Sequence, residues 1–248
     1  MAVSQKTRPA EIDYPEGDGK PMAETDLHFD WMVTITQRLK RFFAGRRVYV
    51  SGNLLIYYQE GDPTKSVAPD TFVVKNCKPG RRRIFQIWKE RRHPNFILET
   101  TSKSTRREDS GKKKQIYAHI EAAEYFLYDP LGEWLKPPLQ GYRLVHGVYE
   151  PIQPDSQAGI VSQELGVRFV LEGSELAMFD AHTGERLLSQ EEWANHQTQQ
   201  FEETKRQAEE TVRQLQQEKA ARKALEDELA RLREQAKKTN GHKRRDGK

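Results

Sequence analysis

The sequence predicts an α/β fold: a mixed sheet flanked by helices, a β-rich extension, and a long coiled-coil-like helix at the C-terminus. Three observations carry this prediction. Apolar residues recur at helical spacing over 21–44, and the pattern then switches to short β-branched and aromatic runs. One of those runs, FILETT at 96–101, leads through a helical stretch into EYFLYD at 124–129, a strand–helix–strand unit that requires parallel pairing. From 191 to 237 there is no Gly or Pro, and Glu, Gln, Lys, Arg and Ala dominate.

Residues 1–20, rich in Pro, Gly and charge, read as a flexible arm. Between Pro21 and Ala44 the positions His28, Trp31, Met32, Ile35, Leu39 and Phe42 form one face of an amphipathic helix, with Gly45 just past its end. VYVSG and LLIYY, separated by Asn53, suit two strands of a hairpin, and the run from Asp70 to Val74 suits a third strand. A basic loop, KPGRRRIFQIWKERRHPN, follows with a short apolar patch inside it. FILETT is almost continuously apolar, which places it centrally in the sheet. Thr105-Arg-Arg-Glu108 has the form of a capping box and opens a helix to about Glu121. After Pro137-Pro138 come hairpin-like segments at 142–144, 148–152, 167–171 and 176–179.

In the long helix a heptad frame sets Phe201, Ala208, Leu215, Leu229 and Ala236 at one seam position and Thr204, Thr211, Leu225 and Leu232 at the other. Glu218 and Arg222 interrupt it. The expected organisation is therefore an arm (1–20), one domain (21–190), a helix (191–237) and a basic, disordered tail (238–248). Two routes to a homodimer are open, through the domain or through the C-terminal helix.

Composition narrows the function. With 248 residues, 31% of them charged, and a mean hydropathy of −0.89, the chain is too polar to be globular throughout. One cysteine, Cys77, excludes an intrachain disulfide and a thiolate metal site, and a reducing cytoplasm is expected. No apolar leader or run of eighteen apolar residues points to secretion or a membrane. The net charge of +4 is unevenly spread: fourteen Lys or Arg against four Asp or Glu between Lys75 and Lys114 give a local +10. Such a field favours a polyanionic partner. No Walker loop, G-x-G-x-x-G, H-E-x-x-H or G-x-S-x-G motif is present.

The informative residues are acids and a lysine where apolar residues belong. Glu99 lies inside the most apolar strand, on the face of Ile97 and Thr101, where a lone carboxylate is costly unless it is paired or holds a cation. Asp70 opens another strand after Pro69. At 100° per residue, Lys113 shares a helix face with Asp109, Ile116, Tyr117 and Ile120, whereas Lys112 and Lys114 point aside. Two carboxylates and one ammonium on adjacent elements suit metal-assisted phosphodiester hydrolysis with Mg²⁺, or Mn²⁺, held by Asp70 and Glu99. The basic segment, with Arg81, Arg82, Arg83, Arg106, Arg107 and Lys112, is expected to hold a nucleic-acid backbone, that of DNA first. His28 reads as a core-edge histidine, Tyr117 as packing, and Trp134 as a surface aromatic.

Together Pro69-Asp70, Glu99 with the Ser/Thr-rich turn after it, the D-x-x-x-K-x-x-x-Y of Asp109, Lys113 and Tyr117, and the EYFLYDP strand resemble the Uma-two (Uma2) family of restriction-endonuclease-like PD-(D/E)XK proteins. The resemblance spans about residues 21–190. It implies a restriction-endonuclease-like sheet and a metal-dependent endonuclease. The acid-x-Lys position is Thr101, so the resemblance moves the lysine onto the next helix as Lys113, with Lys103 as the alternative donor. It also implies an acid on the first helix, Glu24 or Asp26. A binding module on the same fold, without catalysis and with the long helix recruiting a partner, is the rival expectation.

Overall fold

The computed structural model describes residues 12–17, 19 and 25–243. The chain divides into two compact units, Met1–Glu191 and Glu192–Lys248. No helix among the described residues is long and apolar enough to cross a membrane.

Helix α1 runs Asp26–Phe42, and the Thr25 side chain caps it by accepting from the His28 amide. Strand β1 (Val48–Ser51) does not fold back on the LLIYY run as a hairpin. It pairs antiparallel with β4 (Thr71–Lys75), so that Val48 faces Lys75 and Ser51 faces Phe72. The run between them supplies β2 (Ile56–Tyr57), which joins β3 (Ser66–Val67) and β5 (Phe85–Gln86) in a separate three-stranded sheet. Asn53 has φ +48°, and its amide donates to Pro69 O at 2.8 Å. The chain is thus turned away toward the segment before β4 instead of closing a hairpin. The described residues of the expected loose arm are held as well: Tyr57 donates to Pro15 O, and Tyr14 packs edge-on against Tyr57.

After the single turn α2 (Ile87–Glu90) comes β6 (Phe96–Thr100), buried along its whole length. A short α3 (Arg106–Glu108), a π turn (Asp109–Lys113) and α4 (Lys114–His119) carry the chain to β7 (Glu124–Tyr128), parallel to β6. The capping box does not form. Thr105 sits at φ −85°, ψ −22°, already helical, and its hydroxyl caps nothing in the helix; it accepts instead from the Ser102 amide. Strands β8 (Leu139–Val145) and β9 (Val148–Pro151) complete a six-stranded mixed sheet of order β1-β4-β6-β7-β8-β9. A meander of β10 (Ile160–Ser162), β11 (Val167–Glu172) and β12 (Glu175–Asp180) follows.

The six-stranded sheet separates two apolar layers. On one face Ile35 and Leu39 of α1 pack with Phe96, Phe126 and the inner side of the β10–β12 meander. On the other, Tyr117 and Ile120 pack with Ile97, Tyr125 and Phe85. Helix α5 runs Gln190–Lys243, so the stretch 238–243, expected to be disordered tail, is helical.

Candidate active site

The site forms where the start of β4, the end of β6, the π turn and the first turns of α1 converge. Antiparallel pairing sets Thr71 opposite Leu98, which brings Asp70 beside Glu99 and Thr100. The Thr100 amide donates to Asp70 Oδ2 at 2.7 Å, and the Asp70 amide lies 3.4 Å from Glu99 Oε2. From α1, His28 Nε2 stands 2.9 Å from Asp70 Oδ2. Thr36 meets Thr71 hydroxyl to hydroxyl at 2.8 Å. Gly52 is required here: a Cβ would come 2.3 Å from Asp70 O and 2.8 Å from Thr36 Oγ1.

Glu99 is 1% exposed, and donors surround it. Lys113 Nζ reaches its Oε2 at 3.1 Å, and Tyr117 donates to Oε1 in a short hydrogen bond. Lys113 also lies 3.0 Å from Asp109 Oδ1. Asp109 is fully buried, and its carboxylate faces the Lys113 ammonium and the Thr105 hydroxyl. Tyr125 donates to the Asp109 carbonyl at 3.0 Å. In the π turn hydrogen bonds reach the fifth residue, and Asp109 and Lys113 are its two ends.

Burial pushes the Glu99 carboxyl well above its usual range; Lys113 opposes the shift, and Asp70 and Asp109 add to it. Burial likewise raises Asp109 against the pull of Lys113. For Lys113, burial works against the charge, but Glu99, Asp109 and Asp70 outweigh it and hold the ammonium far above its ordinary value. The lysine is therefore a fixed cation.

Three carboxyl groups face one ammonium in a buried volume, and burial pushes two of them, Glu99 and Asp109, toward the protonated form. Among the described residues Asp70 Oδ1 takes no hydrogen bond, while Oδ2 takes two. This donor set fits a hard divalent ion at Asp70. Glu99 is nearly saturated, since both of its oxygens already accept. No group of three or more His, Cys, Asp or Glu among the described residues is arranged to hold a metal by itself. Mg²⁺ does not need such a cage, because it is held by one or two carboxylates and keeps most of its waters.

The expected residues are only partly gathered here. Asp70, Glu99 and Lys113 meet. Lys103 is exposed, and no hydrogen bond or ion pair joins it to Glu99. Glu24 lies outside the described residues, and Asp26 is exposed at the start of α1, so the described α1 side chain that touches a site carboxylate is His28. Arg107 and Lys112 are exposed on the segment that leaves Glu99, and the Arg106 guanidinium lies 4.6 Å over the Trp134 ring. The triplet Arg81–Arg83 is elsewhere. The Arg82 guanidinium lies 4.0 Å over Tyr49, the partner of Val74, four residues or about 13 Å along β4 from Asp70. Arg82 is bound to Glu90 at 2.6 Å, and Arg83 pairs with Glu16. Each thus has an acidic partner, although the Arg83 side chain stays 82% exposed.

His28 and Tyr117 were underestimated by sequence reasoning. Each occupies a helix position where packing accounts for the residue type, and only the carboxylate across from it reveals the polar role. The one available signal was register: Tyr117 is one α-helical turn beyond Lys113.

A family model described as "Putative restriction endonuclease", Uma2, matches residues 5–178. The chain belongs to the Uma2 family. Among solved structures, this Uma2 chain is similar to "a putative nuclease belonging to DUF820 from Anabaena variabilis ATCC 29413", at 18% identity over 62% of this chain and 87% of that one, with a TM-score of 0.44. That likeness is too loose to carry function. No curated protein matches this Uma2 chain.

Proposed function

We propose that the chain is a metal-dependent endonuclease that hydrolyses phosphodiester bonds in DNA, with Asp70 and Glu99 holding Mg²⁺ or Mn²⁺. The observation that carries the reading is Lys113 Nζ, 3.1 Å from Glu99 Oε2 and 3.0 Å from Asp109 Oδ1, beside an Asp70 oxygen left open. Bound there, the ion supplies a water of lowered pKa and neutralises charge that builds on the phosphate.

The chain's own groups then have defined tasks. His28 and the Thr100 amide hold Oδ2 of Asp70, which leaves Oδ1 to bind the ion. Tyr117 fixes Oε1 of Glu99. Held protonated, Lys113 cannot act as a general base; it donates hydrogen bonds and stabilises negative charge on the reacting phosphate. Exposed Arg107 and Lys112, close in sequence to this cluster, supply backbone contacts.

The test is conversion of supercoiled DNA to nicked or linear forms with Mg²⁺ or Mn²⁺. The expected result is metal-dependent cleavage by wild type, with a loss of at least about a hundredfold in Asp70→Asn, Glu99→Gln and Lys113→Met. Intact DNA with wild type, or equal cleavage by the variants, overturns the assignment. One observation favours a second reading: the saturation of Glu99 by Lys113, Tyr117 and the Asp70 amide suits a binding module in which these groups only stabilise the fold. On that reading DNA is bound without being consumed.

A further inference from the structure

A cavity of about 440 Å³ lies across the free edge of the six-stranded sheet, along β1. One wall is the C-terminal end of α1 and the turn after it, with Lys40 and Arg46. The other is the loop at 79–82, with Arg81 and Arg82. Among the described residues no Asp or Glu lines it. Arg82 is engaged by Glu90, but Lys40, Arg46 and Arg81 are exposed and take part in no ion pair among the described residues. Arg46 is held in place by its own neighbours, its guanidinium 4.8 Å over the Phe42 ring and 5.5 Å over that of Phe43. Three exposed cations therefore flank a strand edge that has no partner strand among the described residues; Arg46 also feels the Asp180 carboxylate, whereas Lys40 and Arg81 have no acidic partner there.

The direction of this groove matters. It follows β1 from Val48 to Ser51, and the next residue, Gly52, is the one pressed against the Asp70 carbonyl. The groove thus ends beside the carboxylate cluster, although its cations lie about 10–13 Å further along the sheet edge. That separation is about three to four phosphate steps along a DNA strand, at about 3.4 Å of axial rise each.

We infer that this groove is a track for the phosphate backbone of DNA, gripped by Lys40, Arg46 and Arg81 and leading to the Asp70 end of the sheet. The inference deepens the proposed function by locating the substrate's flank, yet it concerns binding and stands apart from catalysis. Charge decides between occupants. A second copy of this chain would bring the same cations onto the edge, and a neutral strand would leave them without counter-charge, whereas a polyanion neutralises all three.

The experiment measures binding of the full chain to a short fluorescein-labelled DNA duplex by anisotropy, in EDTA, over a salt titration. The variant Lys40→Ala/Arg46→Ala/Arg81→Ala is compared with a control of equal charge change, Lys65→Ala/Lys136→Ala/Lys219→Ala. The single Arg81→Glu, on an exposed loop, guards against a folding defect in the triple variant. Losing three phosphate contacts is expected to weaken binding at least about tenfold at low salt and to flatten the slope of log Kd against log salt by about 2 to 3. Arg81→Glu should move both in the same direction, and the control should move neither. Equal behaviour of the two triples, or no DNA binding by wild type, overturns the inference. Groove-dependent binding by a chain that cleaves nothing supports the track and removes only the nuclease reading.

Discussion

Lys113 shows how one side chain can hold a site together. Its side chain is 15% exposed, and its ammonium lies within 3.1 Å of two carboxylates whose side chains are about 1% exposed. Removing one member of such a cluster leaves the other charges buried without compensation, at a cost of about 3–5 kcal/mol. Lys113→Met should therefore lower unfolding stability by roughly 3 kcal/mol near neutral pH. The loss should also depend on pH. Burial already raises the Glu99 carboxyl, and Lys113 is what opposes that rise. Without the lysine the folded state holds the Glu99 proton to higher pH, whereas the unfolded chain releases it near the ordinary value. Above that value the folded state binds more protons, so the variant's stability falls as pH rises. Urea unfolding at pH 5 and pH 8 checks this: the deficit against wild type should be smaller at pH 5. An equal deficit at both values would mean that Glu99 does not take up the proton.

At the scale of elements, α5 presents an apolar seam to solvent. Phe201, Leu215, Leu225, Leu229 and Leu232 are each half or more exposed, and the heptad frame puts them on one side of the helix. A long polar helix with no covering partner gains little from propensity alone. Pairing with a second copy would bury each leucine for about 1–2 kcal/mol. Leu225→Glu/Leu229→Glu/Leu232→Glu is accordingly expected to convert a dimer into a monomer in sedimentation velocity. A wild-type chain that sediments as a monomer at all concentrations removes the helix as a dimer interface. The same scale shows what was legible in the sequence. FILETT announced a central strand because an almost unbroken apolar run must be covered on both faces, and the one acid in it, Glu99, could only be functional or paired. The face arithmetic placed Lys113 correctly because the residues from Lys113 to Tyr117 keep ordinary α spacing; the π turn distorts only the part before it. The pairing of β1 was not legible. Strands of two to four residues carry no periodicity that distinguishes a neighbour from a partner twenty residues on, and what diverts the chain is the contact of Gly52 and Asn53 with the Pro69–Asp70 backbone. His28 was hidden for a similar reason, since its role exists only once α1 lies across Asp70.

For the whole molecule, the question is what the α/β unit needs from the rest of the chain. Both apolar layers are built from residues no later than Leu187, and every described side chain from Ala194 to Arg233 is exposed. The carboxylate cluster and the cationic groove also lie wholly before Glu191. A chain ending at Trp193 should then fold with the same cooperative thermal transition as the full chain, to within about 2 °C. Its circular dichroism at 222 nm should lose the broad, early melting that an isolated or weakly paired helix contributes. DNA cleavage per active site should be retained, because no proposed ligand or backbone contact is removed. A fall in the midpoint of more than about 4 °C, equivalent to roughly 1 kcal/mol for a domain of this size, would show that the C-terminal unit stabilises the fold. If cleavage were lost and the transition unchanged, the helix would instead belong to the working assembly: the site would be complete in one chain but would act only when two are joined.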